Sequence, residues 1–501
     1  MESESTFCGG HADSHFFALL RTAKVSGGGV QEYTERHCCV FCVLILCSCA
    51  VDRVLGFCRM GHVSTPSDTL GQQNRSPAVP EEHPVNIVLL FLAACLSIVS
   101  LWLAPASAHE AVQIVTPISS QIPTGAVGQS ARTMIHYIQP PGGIQAFNQK
   151  IEANPRPFGK SPATGTAYST PASIGCVYKL TSSLTGCNPN TVTALPQGGS
   201  KAIAVVVAYN YLRALKDLQK FSTQFGLPAP NLTIVYATGS MPRFSPSAWE
   251  MEAALDLQWA HAMAPNAKLY LVEASSDSIG SLIAAVDKAS ALVAAAGGGE
   301  VSMSWGMPEF ARETTYDSHF TTPNVVYLAP AGDSAETNYP CVSPNVVCVG
   351  GTTLRYNAST NLFLQEVAWV NTGGGVSQYE SIPSYQSANG ITGTMRQVPD
   401  LSAAADPNSG GWIYYTPSDG YPGGWMSAGG TSWATPMFAG ILNAAGSFYK
   451  SSAAELSALY TGASAHFTDV SGWCGDYGGI TAGTGYDQCT GIGTPVGYAG
   501  K

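Results

Sequence analysis

The sequence predicts an α/β fold in which a parallel sheet is covered by helices on both faces. Short apolar runs rich in β-branched residues recur from residue 201 onward, and helical patterns separate most of them. This alternation is typical of a buried parallel sheet. Only 11% of the 501 residues are charged, against about 25% in ordinary soluble domains. The chain can therefore bury a large core.

The predicted elements place reactive groups at one edge of that sheet. The strands are expected at 201–209, 231–237, 267–274, 300–306 and 325–332. The helices are expected at 212–226, 245–265, 278–296 and 433–446. In open parallel sheets, reacting groups collect beyond the carboxyl ends of the strands. Asp333 follows the last of these strands and is expected at such an end.

An uncharged stretch of 20 residues, 85–104, precedes the small residues Ala106-Ser107-Ala108. This pattern predicts a secretory signal peptide over 85–108, with cleavage before His109. The alternative is a membrane anchor, because a stretch of this length can span a bilayer.

The remaining regions differ in composition. Residues 1–84 show no globular pattern and are interpreted as an unstructured or non-native extension. Residues 109–195 are rich in Pro, Gly, Ser and Thr, which predicts an extended arm laid over a core domain at 196–501.

Charge and cysteine usage limit the partners and the compartment. The net charge of −10, without a basic cluster, argues against nucleic acid. The cysteines after residue 109 form close pairs: Cys176 and Cys187, Cys341 and Cys348, Cys474 and Cys489. Short loops favour sequential disulfides in an oxidising compartment. Metal binding is the alternative, but no histidine lies at ligand spacing beside these pairs.

A Gly-Gly-Thr-Ser turn at 429–432 runs directly into the apolar helix predicted at 433–446. Ser432 would stand at the N-terminus of a buried helix, where free N–H groups favour developing negative charge. That position suits a nucleophile. The alternative is an ordinary helix cap formed by Thr431 or Ser432.

Two carboxylates lie four residues apart in the helix predicted at 245–265. Glu252 and Asp256 would share one face of it. In an apolar setting they cost free energy unless they share a proton or a partner. The alternative is an exposed acidic helix.

Four motifs together resemble the sedolisins, the serine-carboxyl peptidases with a subtilisin-like fold. Gly-Thr-Ser-x-x-x-Pro alone resembles subtilisin-like peptidases, but Val207 stands where their Asp would be and no His-Gly-Thr occurs. The sedolisin motifs occur in order: Glu-x-x-x-Asp with "AHAMAPNA", "SMSWGMPE", the loop "AGDSAETNYPCVSPNVVCVGGT" and "GGTS". The resemblance covers about residues 165–498 and implies a subtilisin-like parallel sheet with a calcium loop near the C-terminus.

The resemblance assigns a role to each motif. It implies that Ser432 is the nucleophile, Glu252 the general base and Asp256 the residue that orients it. Protonated Asp333 would stabilise the oxyanion; an Asx-turn role in "GDS" is the alternative. Residues that would line the substrate are Ser302, Ser304, Trp305 and Gly306.

The C-terminal stretch 468–495 combines carboxylates with glycine turns, which suits a hard cation such as calcium. The resemblance implies one structural Ca²⁺ ion, with ligands from Asp469, Val470, Gly483, Gly485 and Asp487. A metal-free disulfide loop is the alternative.

These observations lead to the hypothesis of a secreted, monomeric endopeptidase (extracellular or periplasmic) that hydrolyses protein or peptide substrates at acidic pH. A membrane association is expected only if residues 85–104 stay uncleaved. The alternatives are a catalytically silent, peptide-binding relative and a membrane-anchored interaction protein. Many sedolisins carry a large prodomain, and residues 1–108 do not show its pattern.

Overall fold

An eight-stranded sheet forms the centre of the protein in a computed structural model that describes residues 112–501, except 122–126, 158–159, 164–165, 183–185, 245–247, 419–422 and 476–478. The expectations for residues 1–84 and 85–108 lie outside the described residues.

The strands are β1 (Gln113–Val115), β2 (Arg132–Thr133), β3 (His136–Gln139), β4 (Ala202–Ala208), β5 (Asn231–Tyr236), β6 (Lys268–Ala274), β7 (Gly299–Ser302), β8 (Trp305–Pro308), β9 (Val325–Pro330), β10 (Asn338–Tyr339), β11 (Val347–Tyr356), β12 (Phe363–Ala368), β13 (Gly375–Ser381), β14 (Met395–Val398), β15 (Leu401–Ala404), β16 (Gly411–Tyr415), β17 (Gly424–Gly429), β18 (Phe467–Thr468), β19 (Gly472–Cys474), β20 (Ile480–Ala482) and β21 (Thr494–Pro495).

The α-helices are α1 (Gly143–Ala153), α2 (Pro171–Val177), α3 (Ala214–Phe225), α4 (Trp249–Met263), α5 (Ile279–Ala295), α6 (Ser384–Ser387), α7 (Thr431–Ala445), α8 (Ser452–Thr461) and α9 (Ala463–His466). Short 3-10 helices occupy Ile118–Ser120, Glu313–Phe320 and Pro407–Ser409.

The central sheet has the order β12-β11-β9-β7-β4-β6-β5, and β15 also pairs with β11. All of its pairings are parallel except that of β11 with β12. β4 is buried along its whole length, as its unbroken run of Ala, Ile and Val requires. The predicted parallel sheet is confirmed.

Helices cover the sheet from two sides. α5 packs on β4, β6 and β7, while α4 and α7 pack against each other and over the sheet. Every residue of α4 is buried, so the alternative of an exposed acidic helix is wrong. Within the described residues, no helix is both long and apolar enough to cross a bilayer.

One predicted strand is divided in two. The run 300–306 was expected to be continuous, but β7 ends at Ser302 and β8 begins at Trp305. β8 leaves the central sheet and pairs with β10 and β2 instead. The break turns the segment after Ser302 away from the sheet and towards the helix N-terminus at Ser432.

The predicted N-terminal arm contributes regular structure. Within its described residues it forms the strands β1, β2 and β3 and the helices α1 and α2. β2 pairs with β8, and β3 pairs with β17, both antiparallel. The arm is therefore tied to the core by main-chain hydrogen bonds.

Close contact between α4 and α7 depends on Gly440. A Cβ atom added there would lie 2.6 Å from Met263 Cβ and 2.8 Å from the Ala260 carbonyl oxygen. We expect Gly440→Ala to lower the free energy of unfolding by about 1–3 kcal/mol, because the helices must separate to admit the methyl group. Denaturant unfolding measures this change.

Gly280→Ala is the matched control, because Gly280 also lies in a helix but has nothing within 4 Å of its added Cβ. There the substitution should stabilise by up to about 1 kcal/mol. Equal effects at the two glycines would contradict the proposed helix contact.

Candidate active site

Ser432 is the second residue of α7 and is completely buried. It follows Gly430, whose φ of 116° is accessible to glycine. Pro436 lacks the N–H that would bond the Ser432 carbonyl in a regular helix. The Ser304 hydroxyl donates to that carbonyl instead, at 3.3 Å. The N-cap residue of α7 is Gly430, and no side chain forms a capping hydrogen bond there. The alternative that Thr431 or Ser432 is an ordinary helix cap is therefore wrong.

The two predicted carboxylates lie on α4 with no exposure to solvent. Within the described part of the chain, none of their four oxygens makes a well-aligned hydrogen bond. Burial, followed by the charge of Asp256, raises the pKa of Glu252 well above its usual range, and the nearby Ser432 hydroxyl lowers it. The structure therefore brings Glu252, Asp256 and Ser432 together.

Burial also raises the pKa of Asp256 well above its usual range, while the nearby Ser304 hydroxyl and Glu252 carboxyl lower it. A buried pair of this kind cannot ionise twice without a large cost, so it holds one proton between its members. The Ser432 hydroxyl donates to the Ser304 carbonyl at 3.3 Å. Among the described residues, no histidine is hydrogen-bonded to Ser432.

Asp333 lies beside the start of α7. Its Oδ1 accepts hydrogen bonds from Thr431, one from the backbone N–H at 2.8 Å and one from the hydroxyl at 2.7 Å. Its Oδ2 lies 3.1 Å from His136 Nε2. The side chain is held by Thr431 and lies beside His136, not within its own loop, so an Asx turn does not account for it.

The residues expected to line the substrate surround the break between β7 and β8. Ser302, Ser304, Trp305 and Gly306 all lie in buried positions. Gly306 and Trp305 pair with Arg132 and Thr133 of β2. The main chain of β8 is thus presented towards a neighbouring extended segment.

The five residues predicted to bind calcium lie in one region near the C-terminus. Asp469 Oδ2 accepts from the Gly485 N–H at 2.9 Å, and Asp487 Oδ1 accepts from the Thr490 N–H at 2.8 Å. The Thr490 hydroxyl reaches the Val470 carbonyl at 3.3 Å and both oxygens of Asp487.

Gly483 also lies near this cluster. Burial raises the pKa of Asp487, and the backbone N–H of Gly483 is one of the groups that lower it. Gly485 offers its N–H to Asp469, whereas its carbonyl had been expected to face a metal. No group of three or more His, Cys, Asp or Glu side chains forms a metal cluster in the described residues. Carboxylate and carbonyl oxygens of this kind nevertheless have the donor chemistry that calcium requires.

Three disulfides join neighbouring cysteines: Cys176–Cys187, Cys341–Cys348 and Cys474–Cys489. The sequential pairing that the short loops favoured is present. Because the cysteines are bonded to one another, they do not form the alternative metal site.

No local pattern in the sequence indicates the contacts that Met134 and His136 make with Ser432 and its neighbours. The Met134 N–H donates to Ser432 Oγ at 3.0 Å, and the Ser432 N–H donates to the Met134 carbonyl at 3.1 Å. His136 contacts Asp333 and packs edge-on against Trp369, with ring centroids 6.2 Å apart. These pairs are about 200 to 300 positions apart, and no local motif marks them.

Comparisons with known proteins agree with this geometry. Residues 247–473 match the subtilase family. The chain is 30% identical to kumamolisin from Bacillus sp. (strain MN-32), covering 56% of this chain and 56% of kumamolisin. It is 28% identical to sedolisin from Pseudomonas sp. (strain 101), covering 69% of this chain and 62% of sedolisin.

The solved structure of Pseudomonas sedolisin, described as a serine-carboxyl proteinase complexed with two molecules of pseudo-iodotyrostatin, covers 66% of this chain and 96% of its own, with 26% identity and a TM-score of 0.55. The chain is similar in sequence and in structure to proteins of the sedolisin family. The predicted subtilisin-like α/β fold is confirmed with it. This chain spans 56% and 62% of the length of the two curated relatives.

Proposed function

We propose that the protein is a serine-carboxyl endopeptidase that hydrolyses peptide bonds at acidic pH. The observation that carries the proposal is the buried Glu252–Asp256 pair beside the hydroxyl of Ser432. A serine at a helix N-terminus needs a base, and the described residues offer carboxylates where other serine peptidases use imidazole. A covalent serine probe distinguishes this activity from a silent, peptide-binding relative.

Ser432 attacks the carbonyl carbon of the scissile bond after its hydroxyl turns from Ser304 towards Glu252. Glu252 accepts the hydroxyl proton and later passes it to the leaving amine. Asp256 is a positioning residue, because it shares a proton with Glu252 and fixes the orientation of that carboxyl. Water then hydrolyses the acyl-enzyme by the same route in reverse.

Asp333 stabilises the negative charge that develops on the substrate oxygen. Thr431 donates both of its hydrogen bonds to Oδ1, so a proton on the carboxyl resides on Oδ2. A protonated Oδ2 donates to the oxyanion, together with the Ser432 N–H. An ionised Asp333 would repel that charge, so the proposed mechanism requires the protonated carboxyl.

The protein acts outside the cytoplasm. Three disulfides in the described part of the chain suit an oxidising compartment, where exported proteins acquire them. Protein or peptide substrates line up along Ser302, Ser304, Trp305 and Gly306.

A calcium ion would stabilise the C-terminal loops. Asp469 and Asp487 would supply carboxylates, and Val470, Gly483 and Gly485 would supply carbonyls. Bound there, the ion offsets the charge of two neighbouring carboxylates and ties the segment after β20 to the one after β18.

The nucleophile is tested by Ser432→Ala. We expect kcat/KM for an added peptide to fall by at least about 10⁴-fold, because members of a catalytic triad act as a unit. Glu252→Gln should cause a comparable loss. Ser402→Ala is the control, since Ser402 is equally buried and its hydroxyl has no hydrogen-bond partner among the described residues. Activity in Ser432→Ala close to that of the wild type would refute the mechanism.

The pH profile tests the carboxylate base. Activity should peak in the acid range and fall at lower pH as Glu252 is protonated. The negative charge of Asp256 raises the pKa of Glu252. Asp256→Asn removes that charge, so the acid limb of kcat/KM should move to lower pH while the maximum falls.

Asp287→Asn is the control for this profile, because Asp287 is an exposed carboxylate paired with His319. Its acid limb should coincide with that of the wild type. If Asp256→Asn left the limb in place, or moved it to higher pH, Glu252 would not be the group that titrates there.

Chelation tests the calcium site. A ligand bound only by the folded state stabilises it, so a chelator should lower Tm by about 2–6 °C. Asp487→Ala should lower Tm similarly and abolish the response to chelator, whereas Asp287→Ala should keep that response. A wild-type melting curve that does not change with chelator would exclude a stabilising calcium ion.

A further inference from the structure

Residues 332–337, here called the Asp333 loop, are held from one side by two consecutive glycines. The Gly373 N–H donates to the Gly332 carbonyl at 2.7 Å, and the Gly374 N–H donates to the Glu336 carbonyl at 3.3 Å. These two hydrogen bonds fix the backbone on both sides of Asp333. The glycine segment continues directly into β13, so the position of the loop is tied to that strand.

The side chain of Glu309 makes a second connection between the same parts. Glu309 directly follows β8 and is only 8% exposed. The Thr337 hydroxyl donates to its Oε2, and the Ser377 hydroxyl donates to its Oε1. The Gln378 N–H lies 3.1 Å from Oε1 and 3.3 Å from Oε2. Since Thr337 belongs to the Asp333 loop and the other two to β13, one carboxylate joins β8, the loop and β13.

A carboxylate suits the Glu309 position better than an amide of the same size. All three surrounding groups donate, and an ionised carboxylate accepts at both of its oxygens. An amide accepts at one oxygen only and brings two donors of its own. Hydrogen bonds to a charged acceptor are also about twice as strong as those between neutral groups. The charge of Glu309 therefore strengthens the connection between the loop and β13.

The neighbouring acid, Glu313, does not oppose that charge. Its side chain is completely buried, and its Oε2 accepts the Phe310 N–H at 2.7 Å. Burial raises the pKa of Glu313 to about 9 against the lowering effect of this N–H, and the charge of Glu309 adds to the rise. In acid Glu313 is therefore neutral and does not repel the Glu309 carboxylate.

The proposed mechanism is sensitive to the position of the Asp333 loop. Thr431 fixes the direction of the Asp333 carboxyl by donating to Oδ1, but it does not fix the backbone that carries this side chain. A misplacement of about 1 Å can cost about 100-fold in rate. The backbone of the loop must consequently be held by other groups, and Glu309 is one of them.

We propose that Glu309 is a positioning residue whose carboxylate holds the Asp333 loop against β13, so that Asp333 meets the oxygen of the substrate. The inference rests on the proposed peptidase function. Within the described residues, the hydrogen bonds of Glu309 go to Thr337, Ser377 and Gln378. Glu309 therefore acts on the reaction through the loop and not through the nucleophile or the base.

Glu309→Gln tests this role in steady-state hydrolysis of a peptide in acid. We expect kcat to fall about 10- to 100-fold while KM changes by less than about threefold, because the oxyanion contact strengthens only in the transition state. Glu366→Gln is the matched control. Glu366 also accepts from hydroxyls, those of Tyr178 at 2.9 Å and Thr494 at 3.0 Å, but neither lies in the Asp333 loop. Its kcat should stay within about twofold of the wild type.

A double-mutant cycle separates positioning of Asp333 from a general structural effect. In an Asp333→Ala background, Glu309→Gln should lower kcat by less than about twofold, because the group that it positions is already absent. An equal loss in both backgrounds would overturn the inference, since Glu309 would then act independently of Asp333.

Binding of a peptide aldehyde gives a readout that does not depend on turnover. The hemiacetal that an aldehyde forms with a serine hydroxyl mimics the tetrahedral intermediate, whereas the corresponding peptide alcohol does not. Glu309→Gln should weaken aldehyde binding by the same factor as kcat/KM and leave the Kd of the alcohol unchanged. Unchanged affinity for the aldehyde would contradict the proposed role.

Thr337→Val tests the same connection from the side of the loop, and it decides the outcome if Glu309→Gln lowers the yield of folded protein. It removes one donor and leaves Glu309 with its partners on β13, so kcat should fall at least about threefold. Wild-type kcat in Thr337→Val and Glu309→Gln would overturn the inference and leave the peptidase function standing. If the wild type neither hydrolysed peptide nor bound the aldehyde more tightly than the alcohol, the peptidase function itself would fall.

Discussion

The site depends on how closely two buried helices approach each other. α4 carries the carboxylates and α7 carries the serine, and Gly440 lets the backbone of α4 lie against α7 without a side chain between them. Trp259 of α4 and Trp433 of α7 pack edge to face in the same interface, with their ring centroids 5.0 Å apart. Because both helices are buried, neither can shift without displacing the core. The distance between the two carboxylates and the serine is thereby set by packing.

That packing excludes water, and the loss of solvation raises the pKa of carboxyl groups in the core. Glu273 and Glu455 take no part in the proposed mechanism, yet burial raises the pKa of Glu273 to about 7 and that of Glu455 to about 8. Both have an ordinary value of 4.5. A carboxyl with a raised pKa binds its proton more tightly in the folded state, so its burial costs least in acid. The penalty grows as the pH rises from about 4.5 through these values, and the fold is suited to the pH range in which its proposed chemistry operates.

Local patterns in the sequence predicted the framework and most of the site. β-Branched runs predicted the parallel strands, four-residue spacing placed Glu252 and Asp256 on one face of a helix, and Gly-Thr-Ser before an apolar helix indicated Ser432. Each of these signals lies within a few residues. The break between β7 and β8, by contrast, has no local marker, because pairing with β2 and β10 determines it. The contacts of Met134 and His136 were missed for the same reason: they depend on where a distant strand is laid.

The proposed substrate groove is bordered by the edges of β8 and β17, where β2 and β3 are held mainly through their backbones. Any residue except proline can form backbone pairs. Such a groove therefore selects a bound chain by its backbone conformation more than by its amino-acid sequence. A bound segment must be extended over several residues, and its backbone N–H and C=O groups must be free of other hydrogen bonds. Helices, and strands already engaged in their own sheets, cannot adopt that form without first coming apart. Intact globular proteins would therefore be protected from the proposed peptidase by their own hydrogen bonding, whereas unfolded segments would fit such a groove.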